Sequence, residues 1–230
     1  MKINKQMLLF GIAIILTACN SNANFEIGGT VAHAADGEVI YLNKVADTNP
    51  EELIKIDSVV VKNEEFSFTG KVEEPTLGYL SFREQKGRIP LFIENGKTQV
   101  SVDLDNFTSL ALQGTPNNEV LSEFERNLSL FKYNLLSYQG NQQNAYMEAL
   151  QQKDEEKMKQ ILHGYTKLQQ DQNVFITNYL DQHQTSLTAL YYLYFTSKDD
   201  LTALKSVYEN LSQTDKKSNL AKLAAAKIGL

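Results

Sequence analysis

The hydrophobic period of this chain changes once, near Gly114, and that change divides what it can fold into. Before it, Phe66, Phe68, Gly70 and Val72 alternate with Glu65, Ser67, Thr69, Lys71 and Glu73, and Val100, Val102 and Leu104 alternate with Ser101, Asp103 and Asp105. A period of two with one dry face predicts half-buried strands. The runs Val39 to Leu42, Ile56 to Val61 and Pro90 to Ile93 are apolar and β-branched enough for buried strands. Asp36-Gly37 and Asn95-Gly96 read as hairpin turns, because both turn positions favour positive φ. Pro90 cannot donate to a strand ladder, so its strand is expected at a sheet edge or to begin there.

After Gly114 the spacing becomes helical. Leu121, Phe124, Leu128, Phe131, Leu135 and Tyr138 form one stripe, and Met158, Ile161, Tyr165, Leu168, Gln172, Phe175 and Tyr179 form another. Thr115-Pro116 suits a helix start, with the hydroxyl capping and proline in the first turn. The polar stretch from Gln139 to Asn144 is expected to break the first helix, after which the second runs back as a hairpin. Ser197 with Asp200 and Ser212 with Asp215 have capping-box spacing and predict two shorter helices. The expected fold class is α+β: an antiparallel β-sandwich or barrel over 25–115, then an all-helical half over 116–230 with a long helical hairpin.

The N-terminus reads differently. Lys2 and Lys5 precede an uncharged run from Met7 to Leu16, which ends in Leu16-Thr17-Ala18-Cys19. That is the layout of a secretory signal, and with cysteine after the small residue it resembles a bacterial lipoprotein signal. The resemblance implies cleavage after Ala18, a diacylglycerol thioether on Cys19 and acylation of the new amino group. Residues 1–18 are then the signal and 19–24 a lipid-anchored tether. Several acyl chains, at about 0.8 kcal/mol per buried CH₂, anchor far more firmly than one. The membrane is therefore the first expected partner. Asn20 rather than aspartate follows Cys19, and no acidic cluster comes after it. The resemblance thus implies a periplasm-facing lipoprotein on the outer membrane.

Composition excludes several activities. Cys19 is the only cysteine, so once lipidated the chain has no thiol for disulfide, metal or redox chemistry. The formal charge is −6, and loss of Lys2 and Lys5 with the signal makes it two units more negative. With no basic cluster, nucleic acid is not an expected partner.

The residues Phe25-x-Ile27, Ile40-Tyr41-Leu42, Ile56-Asp57-Ser58, Phe66-x-Phe68-x-Gly70, Pro75 and Phe92-Ile93-Glu94-Asn95-Gly96 occur in that order, followed by Leu112-x-Gly114 and Asn117-Asn118. In this order they resemble a β-rich "domain of unknown function" module of Gram-negative lipoproteins, which usually precedes a thioredoxin-like domain of the thiol:disulfide interchange type. One departure is the turn Lys62-Asn63-Glu64, where the pattern usually has glycine. No Cys-x-x-Cys occurs, so the redox activity does not carry over. The resemblance leaves two expectations: a non-enzymatic binding or scaffold module, or an accessory part of an oxidoreductase whose catalytic domain is lost or separately encoded.

No motif demands catalysis, a cofactor or a metal. Asp103 and Asp105 share a strand face with Ser101, a placement in which their carboxylates can meet a cation, although a solvated strand face is the expected role. Asp199 and Asp200 sit where a helix start favours negative charge. His33, His163 and His183 are too scattered for a metal site, and none has an i, i+4 ligand partner. Tyr191, Tyr192, Tyr194 and Phe195 lie together on a short helix and form either core packing or a binding surface for an envelope protein partner.

Overall fold

A computed structural model describes residues 23–83, 87–106 and 109–230. Cys19 and the signal segment lie outside the described residues. The strands are β1 (Phe25–Ala32), β2 (Val39–Val45), β3 (Leu53–Val60), β4 (Glu65–Gly70), β5 (Thr76–Phe82), β6 (Arg88–Ile93), β7 (Gly96–Asp103) and β8 (Ala111–Gln113). The helices are α1 (Pro116–Gln152), α2 (Glu155–Gln182), α3 (Leu187–Thr196), α4 (Thr202–Asn210) and α5 (Asn219–Lys227). The fold is α+β, with the strands in two four-stranded sheets ordered β4-β1-β7-β8 and β3-β2-β5-β6.

The alternating segments behave as their period requires. Phe66 and Phe68 of β4 and Val100 and Val102 of β7 are buried, and join Ile27, Ile40, Leu42 and Leu80 in one apolar cluster spanning both sheets. β1 and β7 pair in parallel, the one such pairing among the described strands. The whole second sheet, together with β4, lies between them in the chain, so no hairpin joins them.

β5 and β6 do not alternate. From Leu77 to Leu80 and from Ile89 to Ile93 every residue is buried. The first sheet covers one face of this pair, and α3, α4 and α5 cover the other. Leu187, Leu190, Leu204, Val207 and Leu220 of those helices belong to the same cluster as Leu77 and Leu91. Pro90 lies on the edge strand β6, as its missing N–H requires.

Several local expectations are corrected. The run Ile56 to Val61 is not a buried strand. β3 is an edge, its register slips opposite Leu42 and Asn43, and Val60 stays 61 % exposed. Val59 packs against the core and Val61 just beyond the strand is buried, whereas Ile54, Ile56 and Val60 stay open to solvent. Asp36-Gly37 and Asn95-Gly96 are not hairpins. Gly37 and Gly96 do take positive φ, but each dipeptide carries the chain from one sheet to the other. The turn Lys62-Asn63-Glu64 forms without glycine, because Asn63 and Glu64 both adopt the left-handed region.

Helix boundaries differ as well. α1 runs unbroken for 37 residues, about 55 Å, straight through Gln139 to Asn144. Polar residues alone do not end a helix, and one glycine costs only about 1 kcal/mol. The reversal comes at Lys153, in the left-handed region, followed by Asp154, whose carboxylate accepts from the Lys157 N–H at 2.9 Å. The Thr115 hydroxyl does not cap α1. It accepts from Asn118 Nδ2 at 2.9 Å and meets the Thr98 hydroxyl at 3.2 Å. Ser197 ends α3 instead of capping α4, and Asp200 alone accepts from the Thr202 N–H. Ser212 and Asp215 do bond to each other, but they open a single 3₁₀ turn, and Ser218 caps α5.

Two buried asparagines join helices to sheet. Asn118 accepts from the Phe92 N–H at 2.8 Å and donates to the Phe92 carbonyl at 2.7 Å, closing the free edge of β6. Asn219 does the same for Leu77 of β5, at 2.7 and 3.2 Å, and also donates to the Val45 carbonyl at 2.9 Å. Asn118 stands in for the strand missing beyond β6, and Asn219 bridges Val45 and Leu77 just past the last β2–β5 pair, Lys44 and Gly78.

Candidate functional site

The tyrosine-rich helix α3 is largely spoken for by packing. Tyr194 is buried, and Lys227 lies over its ring and donates to its carbonyl. The Tyr192 ring meets Phe124 edge-on at 5.2 Å. Tyr191 is partly buried beside Tyr79, over whose ring Arg88 lies at 5.0 Å. Burial pushes the Tyr191 phenol well above its ordinary value, with the neighbouring Tyr79 adding to the rise. Phe195 keeps 47 % of its surface and is the most open of the four.

A second group joins Asp103 and Asp105 to a residue that sequence spacing did not connect with them, His33. The parallel register of β1 and β7 sets Ala32 opposite Asp103, which brings His33 to the end of β7. His33 Nδ1 lies 3.0 Å from Asp103 Oδ1 and 3.4 Å from Asp105 Oδ2. These are metal-ligating groups, and one atom from each falls within 4.8 Å of the others. Spacing of 70 residues hides such a cluster unless the strand pairing is known. The hydrogen bond to Asp103 and the charges of both aspartates hold His33 above the usual imidazole value. The Asp105 N–H, then His33, hold Asp103 below the usual carboxylate range. When protonated, His33 supplies a positive charge to the two carboxylates, at an open corner of the first sheet.

The other singled-out residues keep structural roles. His163 is exposed on α2, and His183 stacks on Tyr179 at 4.2 Å. Asp200 lies below its ordinary value chiefly because it accepts from the Thr202 N–H.

The feature that packing leaves unused is the α1–α2 hairpin. Its base is fastened by Phe124, Leu128 and Tyr179, with Phe175 stacked on Phe124 at 6.1 Å, and the Tyr179 hydroxyl donates to the Val120 carbonyl at 2.7 Å. Beyond Leu128 the inner stripe of α1 faces α2. Tyr138 there donates to the Ile161 carbonyl at 3.0 Å, over Gly164, where a Cβ would collide with the phenol. Among the described residues the outer stripe has no partner. Tyr133 is 62 % and Leu136 68 % exposed, Met147 and Leu150 are half exposed, and Leu162 of α2 is open beside them. A groove of about 580 Å³ opens between the helices here, lined by Leu136, Tyr138, Gly140, Met147, Leu162 and Tyr165. Large side chains crowded on one helix face are the kind of patch that marks an interaction site. Hydrophobic periodicity located the inner stripe. The outer stripe was legible only once α1 was known to continue through Gly140.

Residues 25–121 match the family described as "Domain of unknown function (DUF4369)". The matched span comprises the strands β1 to β8 and the first turns of α1 that cap β6. No curated protein matches the sequence.

Proposed function

We propose that this chain is a periplasm-facing bacterial lipoprotein, anchored in the outer membrane through Cys19, that acts as a non-enzymatic binding or scaffold module. The observation that carries the binding role is the unpartnered apolar face of the α1–α2 arm. Burying such side chains is worth about 25 cal/mol per Å², so water favours any surface that covers them. Leu16-Thr17-Ala18-Cys19 supports the anchor, and six residues of tether would keep the β-sheets within about 20 Å of the lipid surface. The order of the strand motifs from Phe25 to Asn118 favours a second reading, an accessory part of a thioredoxin-like oxidoreductase whose catalytic domain is lost or separately encoded.

Metabolic labelling tests the anchor. Cells expressing the chain with radiolabelled palmitate should yield a labelled protein in the membrane fraction. Cys19→Ser should abolish the label and release the protein into the soluble fraction. An unlabelled wild-type chain that fractionates as soluble would remove the anchor and the reading built on it.

A further inference from the structure

The outer stripe of α1 has an internal order. Tyr133, Gly140 and Met147 are spaced by seven, as are Leu136, Gln143 and Leu150, each three residues after a member of the first row. That is the seam of a left-handed coiled coil, two heptads long, on the side of α1 that α2 leaves uncovered. Set antiparallel against itself, the seam matches its two rows. Tyr133 meets Leu150 of the second copy, Leu136 meets Met147, and Gly140 meets Gln143.

We propose that this face is where two copies of the chain associate, through an antiparallel pairing of their α1 helices about a two-fold axis beside Gly140. The inference rests on the reading of the arm as the contact surface and names its occupant. Charge argues for a second copy. Between Lys132 and Glu148 no residue of α1 is charged, although the chain as a whole is acidic. A basic partner would find nothing here to pair with, whereas two acidic copies can meet along this neutral strip without burying a charge. A two-fold axis needs one surface complementary to itself, which the matched rows supply. Gly140 has open space at the Cβ position, so Gln143 of the second copy can lie against its backbone.

The extent of the seam fixes the strength expected. From Tyr133 to Leu150 it spans about 26 Å, which buries on the order of 1,000 Å² over both copies, the lower end for specific association. The dimer should be weak and concentration-dependent.

Sedimentation equilibrium on the full chain, solubilised in a mild detergent, tests this. The wild type should pass from monomer to dimer as concentration rises, with no weakening by added salt, because no charge pairs cross the seam. Leu136→Glu and Met147→Glu should each weaken association by about tenfold or more, since each buries a carboxylate without a partner. Both positions are exposed, so circular dichroism should show an unchanged helix content. A monomer at every concentration would overturn the proposal, as would a dimer that neither substitution weakens. A monomeric chain whose arm still crosslinks to another envelope protein overturns the self-association alone and leaves the binding role standing.

Discussion

Gly29→Ala should lower the thermal midpoint by roughly 6–12 °C, and the reason is a collision between backbones. Gly29 pairs with Val100 in the parallel β1–β7 ladder, with φ of +155°. A Cβ at this position would overlap the carbonyl oxygen of Val100 and crowd its carbon and nitrogen as well. The side chain has no freedom to turn aside, because the clash is at Cβ itself. Neither strand can retreat: β1 is also bonded to β4, and β7 to β8. Overpacking of this kind costs about 3 kcal/mol or more, and in a chain of this size each kcal/mol moves the midpoint by about 2–4 °C. Gly37→Ala is the matched control. Gly37 also has positive φ, at +96°, but nothing lies within 4 Å of its Cβ position. It should cost only about 1 kcal/mol of backbone strain. Equal losses at the two sites, read by circular dichroism melting, would refute the steric account.

Asn118→Leu should cost about 2–5 kcal/mol, although leucine fills nearly the same volume. The side chain is fully buried and bonds both backbone groups of Phe92, and its amide also donates to Thr98 Oγ1 at 3.2 Å and Thr115 Oγ1 at 2.9 Å. Leucine would leave the Phe92 N–H and carbonyl buried without partners, at about 1–3 kcal/mol each. Urea unfolding should show a lower midpoint with an unchanged slope. A loss below about 1 kcal/mol would mean that water reaches the β6 edge and that Asn118 is not what closes it.

These residues also mark the limits of reading the sequence. The period of two at Phe66 to Gly70 and the helical stripes of α1 and α2 were legible because local spacing alone decides them. The exposure of β3 was not, since Ile56 to Val61 has the composition of a core strand and only sheet order places it at an edge. The continuity of α1 was obscured by a polar stretch that resembles a loop but lacks proline. The bonds of Asn118 and Asn219 were not legible, because their partners lie 26 and 142 residues away. His33 joined Asp103 for the same reason, through a parallel register that no local pattern encodes. Within the candidate site, the inner stripe came from periodicity, whereas the outer seam required knowing which face α2 covers.

The central claim is that the α1–α2 arm is the contact surface of an anchored module, and site-specific photocrosslinking in intact cells tests it most directly. A photoreactive residue placed at Leu136 should give a discrete protein adduct, whether a second copy or another envelope protein. The same residue at Ser67, exposed on β4 away from the arm, should give none. Adducts from Ser67 and none from Leu136, or only bulk lipid captured at Leu136, would contradict the account.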